Sequence, residues 1–269
     1  MTDVLFDKIA DELIDNRTEV KRVSLYKGGE PLLDYRLPDR IEKLKIGGLK
    51  NVIISTNISL LSESKAREIL NAGLDQIILS LDSINAAIYE SIRAGLKFDQ
   101  VFENTLKLIE IRNRIRPKAR IWIRMIRQGK NWDEWPEYQR FWQKRLKPDD
   151  RINYHVIHNW GGQLKDFTAI SASHQPMLPC VALWSHLAIL ANGDVPLCSI
   201  DYDNKFPNGN IMDKSISELW QSITIRNRRD KHLSGKKGNI RLCRECNAWD
   251  DPPDLENISK HYALNPPNK

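Results

Sequence analysis

Cysteine is absent from the first two thirds of the chain: only four cysteines occur among the 269 residues, and the first is Cys180. A secreted disulfide framework is typical of a small, cysteine-dense chain, and this chain is neither small nor cysteine-dense. Four clustered thiols in a cytosolic protein indicate a metal site instead. The scarcity of cysteine therefore excludes a disulfide scaffold and points to the last third of the chain.

Long hydrophobic runs are also missing, since no segment reaches the ~18 uninterrupted apolar residues that indicate a membrane span. The opening segment, MTDVLFDKIADELIDN, is acidic and amphipathic and does not resemble a secretory signal. We therefore expect a cytoplasmic protein with no membrane partner. Hydrophobic residues make up 41% and charged residues 28%, which is typical of a folded globular chain.

Basic residues outnumber acidic ones, 41 to 35, and they crowd two stretches, RNRIRPKARIWIRMIRQGK and RNRRDKHLSGKKGNIRLCR. Such stretches can follow a phosphate backbone. Because the net charge is only +6, we interpret them as solvated helix ends and loops. Nucleic acid binding, as in RNA modification, is the weakest of the functional alternatives.

Apolar spacing alternates along the chain between the period of a helix and that of a buried strand. The pattern predicts a first helix at 5–16 and strands at 20–25, 51–56, 76–81, 119–126 and 152–158, with a helix before each strand. Strict alternation of this kind implies right-handed βαβ crossovers and a parallel sheet. We expect Ser62 to cap the helix that ends at Gly73, and Asp82 or Ser83 to cap the helix after the third strand.

The pattern changes after residue 162. A loop-like segment leads to a predicted hairpin that turns at 192–194, and SISELW begins a helix with a capping box of Ser215 and Glu218. We place the domain boundary near residue 165. The predicted organisation is an α/β domain at 1–165, a small cysteine-rich α+β domain at 166–250 and a loop-like tail at 251–269.

Polar and glycine residues follow three successive strands at their carboxyl ends, where parallel α/β folds gather their ligand sites. They are Gly28, Gly29 and Glu30, then Ser55 and Asn57, then Ser80 and Asp82. The glycines would let a ligand approach the backbone, and Glu30 could accept hydrogen bonds from an ammonium group. Each position alone is explained equally well as a turn or a helix cap. Arg93 could bind a carboxylate or be a solvated helix end, so only the joint location favours a site.

The cysteines form two pairs, Cys180-x12-Gly193-x4-Cys198 and Cys243-x2-Cys246. A Cys-x2-Cys pair lets two thiolates bind one metal centre from a tight turn, and a second pair completes four sulfur ligands. Buried free thiols are the weaker interpretation, because all four cysteines fall in one loop-rich module. Zinc and an iron–sulfur cluster need the same ligands, so the spacing leaves the metal open.

The chain contains, in this order, GGEPLL, ISTN, LDQIILSLDS with YESIRAG, and C-x12-G-x4-C with GNI, SISELW and CREC. In their order and spacing these motifs resemble those of the radical S-adenosylmethionine enzymes that carry a C-terminal SPASM domain. The resemblance runs from about residue 1 to 250. It implies a partial (β/α)6 barrel of radical SAM type missing its first strand, plus a small SPASM-like domain. It also implies hydrogen abstraction by a 5′-deoxyadenosyl radical from an unidentified small-molecule or peptide substrate, with an electron donor such as flavodoxin or ferredoxin.

The resemblance also implies roles for individual residues. Gly28, Gly29 and Glu30 would contact the methionine amino group of S-adenosylmethionine, and Arg93 would hold its carboxylate. The ribose and methionyl part would be lined by Ser55, Asn57, Ser80 and Asp82. One auxiliary 4Fe-4S cluster, or zinc as the alternative metal, would be bound by Cys180, Cys198, Cys243 and Cys246.

The chain departs from the family pattern in two places. The Cys-x3-Cys-x2-Cys loop that holds the S-adenosylmethionine-binding cluster in the family does not occur in these 269 residues. We therefore expect Met1 to be an internal methionine of a longer protein, and the chain as given not to cleave S-adenosylmethionine. Ile58 stands where the family usually has glycine. A non-catalytic iron–sulfur or zinc module that serves as a binding partner is the second hypothesis.

Overall fold

The computed structural model describes residues 1–163, 179–244 and 246–248. Their contacts divide the chain into two compact units, one of Ala10–His155 and one of Met1–Ile9 with the described residues from Val156 onward. The predicted boundary near residue 165 and the predicted tail at 251–269 lie outside the described residues. None of the helices described is long and apolar enough to cross a membrane.

The unit Ala10–His155 contains a five-stranded sheet in the order β1–β2–β3–β4–β5. The strands are β1 (Val23–Ser24), β2 (Val52–Thr56), β3 (Gln76–Ser80), β4 (Arg120–Arg127) and β5 (Arg151–Val156). The helices up to residue 143 are α1 (Asp3–Asp15), α2 (Leu37–Ile46), α3 (Glu63–Asn71), α4 (Ala86–Ile92), α5 (Phe98–Ile115) and α6 (Trp135–Gln143), with 3-10 turns at Pro31–Leu33 and Gly129–Glu134. The pairs β1–β2, β2–β3 and β3–β4 are parallel, which confirms the predicted α/β sheet.

The helix caps were predicted correctly at α3 and wrongly at α4. The Ser62 hydroxyl accepts the Lys65 amide, and Gly73, just after α3, has a φ of +102°, the left-handed conformation that favours glycine. At α4 the cap is Asn85, whose side chain accepts the Ile88 amide. Asp82 is engaged elsewhere, as described below, and therefore does not cap this helix.

Carboxylates stabilise the amino-terminal ends of the strands. Asp150 accepts both terminal nitrogens of Arg112, at 2.6 and 2.5 Å, and the Ile121 amide at 2.8 Å. Both side chains of this ion pair are only 1% exposed. Burial alone would raise the pKa of Asp150, but the hydrogen bonds from Arg112 and from backbone amides outweigh it and hold that pKa below its usual range. Asp75 forms a similar pair with Lys45 at 2.6 Å.

The second unit is built from short elements. They are α7 (Ala182–Ser185), β6 (Asp194–Val195), β7 (Gly209–Asn210), α8 (Ile216–Trp220), α9 (Ile223–Leu233), a 3-10 turn at Lys237–Asn239 and α10 (Arg241–Arg244). Their small core consists of Leu183, Leu197, Ile240 and Leu242. The capping box of Ser215 and Glu218 is confirmed at the start of α8. These elements form the α+β domain predicted from the sequence.

The predicted hairpin at 192–194 forms only in part. The turn is present, because the Leu190 amide donates to the Asp194 carbonyl at 2.8 Å. However, the strand partner of β6 is the distant β7, in an antiparallel ladder. Gly193 has a φ of +89°, and a Cβ there would lie 2.8 Å from Oδ1 of Asn210. The close approach of β7 therefore requires glycine at this turn.

Candidate functional site

The carboxyl ends of β1 and β2 are joined by the side chain of Glu30. Its Oε1 accepts the Thr56 hydroxyl at 2.7 Å and the Leu32 amide at 3.1 Å, and its Oε2 accepts the Asn57 amide at 2.8 Å. Thr56 is buried, and its Oγ1 also accepts the Ile58 amide at 2.9 Å. Glu30 therefore fixes the turns that follow two neighbouring strands. The sequence pattern did not single out Thr56, although it lies within ISTN.

The two glycines after β1 differ in what they provide. Gly28 has a φ of +63°, so its backbone itself favours glycine. A Cβ added at Gly29 would meet no atom within 4 Å, so the described protein does not require glycine there and the adjacent space is open. Asn57 is used locally, because its Oδ1 accepts the amide and the hydroxyl of Ser59 at 3.0 and 2.7 Å. Among the described residues, nothing therefore obstructs the approach of a ligand to Gly29.

Ser55 and Ser80 lie on one face of the sheet. Ser55 is opposite Ile78 in the register of β2 and β3, and Ser80 lies two residues beyond Ile78 on β3. Alternate residues of a strand share a face, so both hydroxyls point to the same side. Both residues are half-buried, and within the described ranges neither hydroxyl has a hydrogen-bond partner. They are available to a ligand at this face.

Asp82 and Arg93 form an ion pair at the end of β3. Oδ2 of the buried Asp82 accepts Nε of Arg93 at 2.6 Å, and its Oδ1 accepts the Ile126 amide at 2.7 Å. The Arg93 side chain is 29% exposed, and its two terminal nitrogens have no partner among the described residues. Asp82 therefore orients Arg93, whose outer edge faces away from the pair.

Two residues far along the chain hold the loop after β3 in place. Oε1 of Glu134 accepts the Ser83 hydroxyl at 2.8 Å and the Ile84 amide at 2.6 Å. The Asn131 side chain donates to the Asp82 carbonyl at 2.7 Å. Neither residue was predicted, because nothing local marks a contact about fifty residues away. These bonds fix the backbone of the residue that orients Arg93.

The four cysteines belong to the second unit and influence one another electrostatically. Cys180, Cys198 and Cys243 pack against the small apolar core. Burial, together with the neighbouring thiols, raises the pKa of Cys198 to about 11 and that of Cys243 to about 12. The pKa of Cys180 is raised well above its ordinary value by burial first and then by the charges of the other three cysteines, including Cys246. The fold therefore brings all four thiols into one neighbourhood.

Backbone amides point at two of these sulfurs. Against the larger effect of burial, hydrogen bonding from the Ala182 backbone lowers the pKa of Cys180, and hydrogen bonding from the Ile200 and Asp201 backbone lowers that of Cys198. The Asp201 amide also donates to the Cys198 carbonyl at 3.2 Å. Hydrogen bonds to sulfur stabilise thiolate ligands and tune iron–sulfur clusters. Four thiols with amide donors have the chemistry of a four-sulfur centre. Across 1–163, 179–244 and 246–248, however, no group of three or more His, Cys, Asp or Glu side chains is arranged to hold a metal ion.

Helix α9 presents two further residues to the cysteine module, one turn apart. Nδ1 of the buried His232 accepts the Cys180 amide at 3.1 Å, and burial, with the nearby Lys237, lowers the pKa of His232 to about 4. Arg228 hydrogen-bonds to the Asn208 side chain. Burial lowers the pKa of Arg228, while the charges of Asp201 and of two cysteines raise it. Neither residue was predicted from the sequence.

Comparison with known families assigns both units. Residues 1–140 match the model of the radical SAM superfamily, and residues 180–247 match that of SPASM, an iron–sulfur cluster-binding domain. Together these matches cover the residues of the two candidate sites.

Similar curated proteins cover the chain unevenly. A probable GTP 3′,8-cyclase of Methanococcus maripaludis strain C5 is 36% identical over 92 residues, which are 34% of this chain and 30% of that protein. An uncharacterized protein of Treponema pallidum is 24% identical over 241 residues, which are 84% of this chain and 64% of that protein. The chain thus spans about a third of the length of the first of these relatives.

Two similar solved structures share the fold. The structure of BtrN in complex with AdoMet and 2-DOIA superposes with a TM-score of 0.61 at 20% identity. The superposition covers 92% of this chain and 80% of the BtrN chain. Native anSMEcpe with bound AdoMet gives a TM-score of 0.63 at 16% identity, over 93% of this chain and 82% of that one. At these identities the likeness concerns the fold alone.

Proposed function

We propose that this chain, which belongs to the radical SAM superfamily and carries a SPASM domain, supplies the S-adenosylmethionine-binding strand ends and the auxiliary cluster of a radical enzyme. When bound, S-adenosylmethionine and its reducing cluster would supply a 5′-deoxyadenosyl radical that takes a hydrogen atom from substrate. The residues of this chain would bind and orient the cosubstrate. The single observation that carries the proposal is the Asp82–Arg93 pair beside the open strand ends.

In this proposal Arg93 is the carboxylate-binding residue and Asp82 is its positioning residue. The bond from Nε to Asp82 leaves both terminal nitrogens for a ligand, and a guanidinium donates to a carboxylate through two parallel hydrogen bonds. The buried Asp82 offers its oxygens to Arg93 and to the Ile126 amide, so it acts on the ligand only through Arg93. The resemblance implies a direct lining contact for Asp82, and we propose this positioning role in its place.

The other strand ends would bind the remaining parts of the cosubstrate. The open space at Gly29 would admit the methionyl amino group, which the backbone of Gly28 and Gly29 would contact. The hydroxyls of Ser55 and Ser80 would face the ribose. Because the Glu30 carboxylate already accepts three donors, we assign it to positioning the two turns.

Equilibrium dialysis with S-adenosylmethionine tests the Arg93 role. A hydrogen bond to a charged group contributes about 1.5–3 kcal/mol, so Arg93→Gln should weaken binding by roughly 10- to 100-fold. Arg93→Lys keeps the charge but loses the planar fork and should recover only part of the affinity. Arg67→Gln is the control, since Arg67 is an exposed helix residue paired with Glu63. Equal affinities for the Arg93 and Arg67 variants would refute the assignment.

We further propose that Cys180, Cys198, Cys243 and Cys246 hold one auxiliary 4Fe-4S cluster. Anaerobic reconstitution with iron and sulfide should load four irons and four sulfides per chain, because these 269 residues contain no other cysteine. Serine at all four positions should abolish loading. A chain that takes up zinc and no iron–sulfur cluster would overturn this half of the proposal.

The substrate class is proposed only as a small molecule or a peptide. The partial match to a GTP 3′,8-cyclase and the fold shared with BtrN and anSMEcpe are compatible with several substrates. A screen would follow 5′-deoxyadenosine formation against candidate compounds with the complete enzyme. Product formation that depends on one compound class identifies the substrate.

A non-catalytic iron–sulfur module is the second candidate function. It is favoured by one observation, the lack of Cys-x3-Cys-x2-Cys in these 269 residues. Translation of the DNA upstream of Met1 in the same frame distinguishes the two candidates. A strand followed by that motif supports the enzyme, whereas a stop codon immediately before Met1 supports the module.

A further inference from the structure

Positive charge is concentrated in residues 223–244, here called the basic segment. It contains eight Lys or Arg residues and one Asp, a net charge of +7, while the whole chain carries +6. The rest of the protein is therefore close to neutral. The segment comprises α9, the 3-10 turn at Lys237–Asn239 and α10.

Most of this charge faces solvent. Five cations of the basic segment are exposed: Arg226, Lys231, Lys236, Arg241 and Arg244. Within the part of the chain that the structure describes, none of the five side chains forms an ion pair, and only the Arg244 side chain donates to a backbone carbonyl, that of Gly238. A surface on which exposed cations outnumber acidic residues in this way produces a positive potential that extends into solvent.

The basic segment folds around one of the proposed cluster ligands. Cys243 lies on α10 between Arg241 and Arg244, and the Cys243 amide donates to the Ile240 carbonyl at 2.9 Å. The Lys236 amide donates to the Lys231 carbonyl at 2.7 Å, so the chain turns back on itself just after α9. The exposed cations are therefore carried by the same compact stretch of chain as a cluster ligand.

We propose that the basic segment is the docking surface for an acidic protein that carries one electron at a time and delivers it to the auxiliary cluster. This inference rests on the proposed function. In the transfer, the reduced cofactor of the partner loses one electron and the cluster gains it, and no covalent bond forms or breaks. Opposite charges steer such partners together and raise the association rate, most strongly at low salt.

A nucleic acid is the less favoured occupant of this surface. Single-stranded sites interleave cations with aromatic side chains on which bases stack. The basic segment contains no Phe, Tyr or Trp. An acidic protein requires only charge close to the cluster, and the segment offers exposed positive charge on the stretch of chain that carries Cys243.

Stopped-flow reduction of the reconstituted cluster by a reduced bacterial flavodoxin tests the proposal. The surface variant combines Lys231→Glu, Lys236→Glu and Arg241→Glu. We expect its second-order rate constant to fall at least tenfold at low salt, and the rates of variant and wild type to converge at high salt as charges are screened. The matched control reverses the same number of charges at three exposed lysines of the other unit, Lys50, Lys118 and Lys144, and should stay within about twofold of wild type.

Dithionite, a small reductant, separates failure of this inference from failure of the proposed function. A wild-type chain that assembles no cluster overturns both. A cluster that dithionite reduces, but that flavodoxin reduces equally fast in the surface and control variants, overturns the docking surface alone. If the surface variant does not fold, the salt dependence of cluster reduction by flavodoxin in the wild type is the test. A reduction rate that does not change with salt overturns the docking surface. RNA binding that the surface variant loses while its flavodoxin rate stays unchanged would reassign the surface to nucleic acid.

Discussion

Ile58 provides the sharpest test of the local structure at the candidate site. It is fully buried, with 0% exposure, yet its φ is +72°, in the left-handed region that β-branched residues rarely adopt. Its amide donates to the Thr56 hydroxyl and its carbonyl accepts the Asn104 side chain, so the surroundings hold this conformation. Glycine, the residue that the resemblance implies at this position, adopts such a φ without steric cost.

Substitutions at Ile58 distinguish the free-energy cost of its left-handed backbone conformation from the stabilisation gained by burying its side chain. Loss of a fully buried isoleucine side chain costs about 2–5 kcal/mol, and the left-handed conformation costs a non-glycine residue roughly 1–2 kcal/mol. Alanine loses the packing and keeps the strain. Glycine loses the packing and relieves the strain, against about 0.5–1 kcal/mol of additional chain entropy in the unfolded state. Both variants should be less stable than wild type, and Ile58→Gly should be more stable than Ile58→Ala by about 0.5–1 kcal/mol.

Urea-dependent hydrogen exchange of the β2 and β3 amides measures the unfolding free energy of this unit. The control is Ile54, which is equally buried but lies within β2. There glycine should be less stable than alanine by about 0.5–1 kcal/mol, because an ordinary strand conformation gains nothing from glycine. An Ile58→Ala variant as stable as Ile58→Gly would refute the left-handed conformation.

Three further predictions concern charged residues. Glu30→Gln should lower the unfolding free energy, measured in urea, by roughly 1–3 kcal/mol. In glutamine an NH2 donor replaces one carboxylate oxygen, so it would lie against the Thr56 hydroxyl or the Asn57 amide, which donate to Glu30 in the wild type. Asp150→Asn should cost about 3–5 kcal/mol by leaving Arg112 buried without its partner. Folding lowers the pKa of Asp150, so its contribution to the unfolding free energy is present above the unfolded pKa of about 3.9 and is lost as the pH falls through the folded pKa. The Asp150→Asn variant should lack this part of the pH dependence of the unfolding free energy. Arg228→Met should make the reduction potential of the proposed auxiliary cluster more negative in a spectroscopic titration, since it removes a positive charge near Cys198 and Cys243, two of the proposed ligands. An unchanged potential would exclude that role.

The sequence by itself determined the order of elements and the chemistry available at the sites. The five strands, the parallel sheet, the caps at Ser62 and Gly73 and the box of Ser215 with Glu218 all follow from local periodicity and from residues that act within one turn. The positions of glycines and polar residues after successive strands follow from the same local signals, as does the grouping of the cysteines. Such features depend on contacts between residues a few positions apart.

Only the tertiary structure decided which of these groups bind one another. Glu30 binds Thr56 and the Asn57 amide because β1 and β2 are adjacent in parallel register. The Ile126 amide reaches Asp82 because β3 pairs with β4, whereas Arg93 reaches it from the end of α4. These partners are separated by 11 to 44 residues in the chain, and no local pattern encodes the register that brings them together. The same holds for the cysteine module, whose neighbours on α9 depend on how that helix packs.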